Sequence, residues 1–242
     1  MARHQQSSVR NQLLTALGPG DFERLAPHLE RVKLELRELL HHAGETLTHV
    51  TFIEEGIVSK LAETEEGRFE VGMDGPEGLS GVPALLGVET APHSAMVQAD
   101  GEGLRIPVEP LKAAMEASPT LRALLLRYVH ASMVQIAQTA YANAGYSLEA
   151  RLARWVLMTH DRTKGNELSL THEFLSVMLG TRRPGVTLAV QTLEGNGMIR
   201  AKRGRITVLS REKLEELAGD AYGLAEAEYT NVLQFPLRKG DA

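Results

Sequence analysis

Residues 169–208 read SLTHEFLSVMLGTRRPGVTLAVQTLEGNGMIRAKRGRITV and hold the most specific structural pattern in this sequence. Thr171 is placed to cap a first short helix, because its side-chain oxygen can accept a hydrogen bond from a backbone N–H of the first turn. Gly180 predicts a sharp turn, Thr181 is placed to cap a second helix, and Gly195 predicts a left-handed end to that helix. Two short helices joined by a tight glycine turn predict a helix-turn-helix.

The second predicted helix has two different faces. One face is apolar at helical spacing and is predicted to face a core, with Val186, Ala189, Val190 and Leu193. The opposite face is polar and basic, with Arg182, Arg183, Thr187 and Gln191. Arginine can contact guanine O6 and N7 through two hydrogen bonds, and threonine offers a hydroxyl and a methyl group to base edges. Arg182, Arg183 and Thr187 are therefore the candidates for contact with bases.

Residues 198–208 follow this helix and predict a basic β-hairpin. Lys202 and Arg203 are the candidates for phosphate contact, because lysine and arginine neutralise the charge of a nucleic-acid backbone. The segment Lys164–Lys213 holds nine Lys and Arg against four Asp and Glu, a net +5, although the whole chain carries −5. A basic hairpin after a helix-turn-helix predicts a winged helix that binds double-stranded DNA. The alternative is a helical hairpin whose basic face is only solvated.

The region from Val32 to Ile106 has a different pattern, with short segments of near-alternating polar and apolar residues. Glycine-rich turns such as Glu55-Gly56 separate these segments. Many short strands at this spacing predict an antiparallel sandwich or small barrel.

A long helix is predicted between these two regions, opening at Ser118-Pro119 and broken at Gly145. Apolar positions recur along it in alternating steps of three and four, at Leu126, Val129, Met133, Ile136, Ala140 and, as a polar last member, Asn143. This heptad stripe favours a parallel dimer seam in which the asparagine sets the register. The alternative is a core helix that lies on its own sheet. Ser147 is placed to cap the next helix, so Gly145-Tyr146-Ser147 is the expected hinge.

The chain resembles the Crp/Fnr family of bacterial transcription regulators. The resemblance is carried by ARLARWVL at 150–157, the stretch at 170–208, EEGIVSK at 54–60 and GPEGLSGVPALLG at 75–87. It implies an α+β chain with an N-terminal antiparallel, cyclic-nucleotide-binding-like β-roll, a long dimerisation helix and a C-terminal winged helix-turn-helix. It also implies a homodimer on a palindromic operator, with RNA polymerase as a further candidate partner. The expected parts are an N-terminal segment at 1–20, the roll at 21–117, the dimerisation helix at 118–145, the DNA-binding domain at 146–220 and a tail at 221–242.

Several positions depart from the pattern of the cyclic-AMP-binding members of that family. Their Gly-Glu pair reads Gly81-Val82 here, and their Arg-Ser pair reads His93-Ser94. Valine cannot accept a hydrogen bond from a ribose hydroxyl, and a neutral histidine is a poor replacement for a permanent cation. Cyclic AMP is therefore not expected as a cofactor, and no other effector is identified. The chain has no cysteine, which excludes the iron–sulfur branch of the family.

The sequence also bears on enzymatic function and on location. A cupin-like metal enzyme using His41, His42 and Glu45 is one alternative, but the second ligand motif of such a fold is missing. No phosphate loop or nucleophile elbow is present, so we expect neither an enzyme nor a metal site. A ligand-binding module without DNA binding is the other alternative. The N-terminus has no signal-peptide pattern and no apolar run would span a membrane, so a cytoplasmic protein is expected.

Overall fold

The computed structural model describes residues 4–65 and 67–237. The chain divides into two compact units, residues 1–62 with 73–132 and residues 63–72 with 133–242. The boundaries expected at residues 117, 145 and 220 stay predictions. Parts of the expected N-terminal segment and tail, residues 1–3 and 238–242, lie outside the described residues.

Antiparallel strands dominate the N-terminal half of the chain. They are β1 (Glu30–Leu34), β2 (Leu39–His41), β3 (His49–Thr64), β4 (Gly67–Asp74), β5 (Leu79–Ser80) and β6 (Ser94–Pro107). The sheet has the order β1-β6-β3-β4, with β2 also paired to β6 and β5 to β3. Short helices flank these strands: α1 (Gln12–Thr15), α2 (Pro19–Leu25), α3 (Val82–Leu85) and α4 (Val108–Ala117).

The alternating pattern of the strands places one side of the sheet in a core. Leu34, Ile53, Val58, Ala95 and Val97 form one buried cluster, with Val32 and Leu40 packed against it. The pairing of β3 with β6 is interrupted by bulges beyond Ile53. Gly101 lies at this irregularity, where a Cβ would come within 2.0 Å of the Glu55 carbonyl oxygen. Only glycine allows the two backbones to approach so closely.

Two long helices follow the strands, and both begin at residues that the sequence predicts. Helix α5 (Pro119–Gly145) spans 27 residues, and the Leu121 backbone N–H donates to the hydroxyl of Ser118 (3.2 Å). Helix α6 (Leu148–Arg162) is capped by Ser147, whose hydroxyl accepts from the Ala150 N–H. The predicted opening of the long helix at Ser118-Pro119 and the predicted cap at Ser147 are confirmed.

The C-terminal half forms a winged helix-turn-helix. Its elements are β7 (Glu167–Ser169), α7 (His172–Met178), α8 (Arg183–Gly195), β8 (Ile199–Lys202), β9 (Arg205–Val208) and α9 (Arg211–Ala218), and the sheet has the order β7-β9-β8. The predicted α+β class, with an antiparallel sheet, a long helix and this domain, is confirmed.

A last helix, α10 (Leu224–Leu233), folds the tail back onto the protein. Buried residues recur in the tail at every fourth position, at Ala225, Tyr229, Leu233 and Leu237. This spacing is an apolar helical stripe.

Candidate nucleic-acid interface

The turn of the helix-turn-helix is fixed by its backbone and by one half-buried arginine. Gly180 has a φ of 58°, a left-handed conformation that costs glycine little. Arg151 of α6 donates through Nη2 to the carbonyl oxygen of Leu179, directly before this turn. Burial lowers the pKa of Arg151. The hydrogen bond from Arg151 to the Leu179 carbonyl oxygen holds the loop that leads into α8.

Two details of α8 differ from the sequence prediction. Arg182, without a side-chain cap, precedes the helix, so the prediction that Thr181 caps it was wrong. Pro184 supplies a preset φ in the first turn, which lets the helix begin without a polar cap. Gly195 is the last helical residue, and the positive φ falls two residues later at Gly197 (67°), so the prediction of a left-handed Gly195 was also wrong.

The outer face of α8 presents Arg182, Arg183 and Gln191 to solvent. Thr187 lies on the same face but is half-buried, and its hydroxyl donates to the Arg183 carbonyl oxygen (3.1 Å). The same hydroxyl lies 3.1 Å from Nδ1 of His172. Since the one proton of this hydroxyl is already donated inside the protein, Thr187 can offer a base only its methyl group and a remaining acceptor lone pair.

The wing is a tight hairpin with a cation at its tip. Arg203 (φ 48°) and Gly204 (φ 78°) form a two-residue loop between Lys202 and Arg205, which are paired across the hairpin. Positive φ at both loop residues is the conformation whose twist matches an antiparallel hairpin. Arg203 therefore lies in the loop of the hairpin and is exposed.

A groove of about 530 Å³ separates α8 from the wing. Four of the six sequence-predicted DNA contacts line it: Arg183, Gln191, Lys202 and Arg203. Glu194 fixes the spacing of the two walls, because its carboxylate accepts a hydrogen bond from the Ala201 backbone N–H (3.0 Å). Arg182 and Thr187 do not line this groove.

The cations of this surface are free to bind an anion. Within residues 4–65 and 67–237, none of Arg182, Arg183, Lys202 and Arg203 has a carboxylate partner. Arg205 differs, because it forms an ion pair with Glu167 (2.7 Å). Such a surface can neutralise phosphates with three cations and direct an arginine at a base edge.

Two family models match the chain in the regions just described. The cyclic nucleotide-binding domain matches residues 31–118, and the Crp-like helix-turn-helix domain matches residues 150–217. The chain belongs to the Crp/Fnr family. No curated protein sequence matches it significantly.

Solved structures of Crp/Fnr proteins share the fold. A putative transcriptional regulator of the family from Eubacterium rectale has a TM-score of 0.66 at 20% identity, covering 86% of this chain and 97% of that one. FixK2 from Bradyrhizobium japonicum has a TM-score of 0.68 at 15% identity, covering 80% and 99%. The regulator TTHA1359 from Thermus thermophilus has a TM-score of 0.65 at 25% identity, covering 78% and 98%.

The positions that bind the nucleotide in cyclic-AMP-dependent members of the family lie at two points of the first unit. Gly81 (φ 102°) and Val82 stand at the start of α3, and Val82 is half-buried. Ser94 is fully buried at the start of β6, and its hydroxyl accepts from the Ala43 N–H (2.9 Å), while His93 is half-buried. The Ser94 hydroxyl is therefore hydrogen-bonded to the backbone of the roll.

The stripe along α5 is mostly open to solvent. Met133 is 63% exposed and Leu126 37% exposed, and Ile136 is half-buried. Ala140 and Asn143 are exposed as well. Val129 is the exception at 4% exposure, because it packs into the core of its own unit.

One exposed residue of α8 was missed as a candidate contact. Leu188 is 62% exposed on the helix that carries Arg183 and Gln191. A large apolar side chain on a basic surface is suited to the methyl group of thymine. Its signal in the sequence was an apolar residue outside the core stripe of the helix.

Neither a metal-binding cluster nor a membrane-spanning helix is found among the described residues. In the described part of the chain, no three His, Asp or Glu side chains converge in a way that could hold a metal ion. His41, His42 and Glu45 do not form such a group; the Glu45 carboxylate accepts from the His42 backbone N–H (2.8 Å). No helix among the residues described combines the length and the apolar character needed to cross a membrane.

Proposed function

We propose that this Crp/Fnr protein is a homodimeric transcription regulator that binds specific DNA sequences without cyclic AMP. The observation that carries the proposal is the groove between α8 and the wing, where Arg183, Gln191, Lys202 and Arg203 come together. Helix α8 enters the major groove, and Arg183 contacts a guanine there. Lys202 and Arg203 of the wing contact phosphates and set the register of the helix on the duplex. Arg182, a candidate for base or near-base contact by its sequence position, does not line this groove, and we assign it to a phosphate next to the bases.

Selection of genomic DNA fragments by the purified protein, at physiological salt, tests this function. We expect a palindromic motif whose half-sites lie one helical turn apart, about 34 Å. The Arg183→Ala variant should lose about 1–3 kcal/mol of binding free energy and relax the preference at one base position of each half-site. Unchanged affinity and base preference in this variant would contradict the assignment of the recognition helix. Absence of any salt-dependent DNA retention would favour the ligand-binding module instead.

The homodimer rests on the exposed apolar stripe of α5. Met133, at its centre, is 63% exposed, and burying such a side chain against a second copy is favourable. Sedimentation velocity of Met133→Glu should give a monomer, while Met133→Leu should keep the dimer. A dimer that survives the charged substitution would place the interface elsewhere.

Independence from cyclic AMP rests on the residues at the nucleotide positions. Val82 offers no acceptor for a ribose hydroxyl, and His93 stands where a permanent cation would bind the cyclic phosphate. Operator affinity should be the same with and without saturating cyclic AMP. An increase in affinity would refute this part of the proposal. RNA polymerase is the further partner that we propose, and a joint complex on an operator-containing promoter fragment tests it.

A further inference from the structure

The first unit contains a cavity that DNA binding does not use. Its volume is about 230 Å³, and it is lined by residues of β1, β2, β3, β5 and β6 and of the segment between β2 and β3. Val32, Leu40 and Leu47 contribute apolar lining, and neither Val82 nor His93 belongs to the lining. This cavity is therefore separate from the positions at which the resemblance to cyclic-AMP-binding proteins would place a nucleotide.

Strand register places three polar side chains side by side on the wall of this cavity. Thr51 of β3 pairs with Ser80 of β5 on one side and with Arg105 of β6 on the other. Directly paired residues project from the same face of a sheet, so the three side chains form one row. Glu30 continues the row on β1 and bonds Nε and Nη2 of Arg105, both at 2.8 Å.

Two hydroxyls of this row have no hydrogen-bond partner among the residues that the structure describes. Thr51 is 8% exposed and Ser80 is 4% exposed, and neither side chain forms a hydrogen bond with another described residue. Ser59, a buried serine on β3, shows the usual situation, since its hydroxyl donates to Gln98 (2.7 Å). Both residues line the cavity, so their hydroxyls can reach an occupant there. A polar occupant would make the hydrogen bonds that the described protein residues leave open.

The charges around the cavity indicate what kind of occupant fits. Two cations and two acids line it: Lys33, Arg105, Glu38 and Glu45. These four residues carry equal numbers of positive and negative charges. Glu30 already binds Nε and Nη2 of Arg105, so Nη1 is the guanidinium nitrogen that remains for an occupant, together with the carboxylates. Burial lowers the pKa of His41, which also lines the cavity, and this keeps its imidazole neutral near pH 7. The volume lies below the usual 300–1,000 Å³ of a drug-sized site, which limits the occupant to a small molecule.

We propose that this cavity binds a small zwitterion of the free amino acid class. Its carboxylate lies toward Arg105 and the hydroxyls of Thr51 and Ser80, and its ammonium group lies toward Glu45. The site goes beyond the proposed DNA-binding function and would make the roll a sensor of such a molecule. Binding can be measured without DNA, so failure of this inference and failure of the proposed function are distinguishable.

The test uses the full-length protein and the common L-amino acids, each added singly at millimolar concentration in a thermal-shift assay. We expect at least one of them to raise the melting temperature and to give a Kd by titration calorimetry. Its N-acetyl derivative and its carboxamide, which each lack one charge, should bind at least about tenfold more weakly. Thr51→Val and Ser80→Ala should each raise the Kd about 3- to 10-fold, the loss expected for one hydrogen bond.

Ser59→Ala is the matched control for Ser80→Ala. It removes a hydroxyl that is bonded inside the protein, so it should lower the melting temperature of the free protein and leave the Kd unchanged. Ser80→Ala should raise the Kd without lowering the melting temperature of the free protein. The proposal is overturned if no amino acid shifts the melting temperature, which would mean that the cavity holds only water. It is equally overturned if the derivatives bind as well as the parent, or if both hydroxyl variants keep the parent Kd.

Discussion

Replacing Lys202 by alanine should change how DNA binding depends on salt. Lys202 is exposed on the wing and has no carboxylate partner among the described residues, so it is free to displace a counterion from a phosphate. With Arg182 and Arg203, each subunit offers three such cations, and a dimer offers six. Each neutralised phosphate contributes about −0.9 to the slope of log K against log salt concentration, which predicts a slope of about −5.4 for the parent protein.

Lys202→Ala removes two of these contacts from the dimer, so the slope of log K against log salt concentration should become less steep, about −3.6. Between 50 and 200 mM salt, the parent should lose affinity about 2,000-fold and the variant only about 150-fold. Fluorescence anisotropy on an operator duplex and on an unrelated duplex, at four salt concentrations, measures both slopes. Lys112→Ala is the matched control, because Lys112 lies in the first unit and pairs with Glu109. Parallel slopes for parent and Lys202→Ala, or a loss confined to the operator, would refute the assignment of this lysine to a phosphate.

Three other substitutions test separate parts of the structure. Leu188→Ala should leave the melting temperature unchanged but lose about 1 kcal/mol of preference at a thymine, which competition binding to substituted operators measures. Tyr128→Phe should cost about 2–3 kcal/mol in urea unfolding, because the phenol hydroxyl donates to Asp74 (2.5 Å) and accepts from the Leu79 N–H (3.1 Å), and a cost below about 0.5 kcal/mol would contradict this. Burial lowers the pKa of His41 from 6.5, so the folded state binds fewer protons than the unfolded state. The free energy of unfolding should therefore be greatest above pH 6.5 and decrease as the pH drops below that value. In urea titrations at pH 5 to 8, His41→Gln should make this decrease smaller.

Local residue chemistry was sufficient to predict most of the helix boundaries. Thr171 caps α7 through a hydrogen bond from the Phe174 N–H (3.1 Å), and Ser147 caps α6 in the same way. Such caps depend only on a side chain and the backbone three residues ahead, so the sequence contains all the information needed. Thr181 satisfied the same rule, but the prediction of its cap was wrong. Pro184 allows the helix to begin later, and its nitrogen has no N–H that needs an acceptor.

Contacts between distant residues could not be predicted in this way. Trp155, within the motif at 150–157, donates from its indole to the Glu70 carboxylate (2.8 Å), 85 residues away. Val129 fits the heptad stripe of α5 by spacing, yet it is buried in its own unit. In the candidate DNA interface, the hydroxyl of Thr187 is used by His172 and by the Arg183 carbonyl, which no spacing rule reveals.

By itself, the sequence determined the order of the elements, the basic winged helix-turn-helix and the cations on its surface. These features depend on periodicity, caps, turns and charge, all of which act over a few neighbouring residues. Only the tertiary structure decided which of those cations share the groove beside α8, and that Thr51, Ser80 and Arg105 meet across three strands. The physical reason is that strand register and helix packing are set by the burial of apolar surface along the whole chain, so residues far apart in sequence become neighbours only when the core has formed.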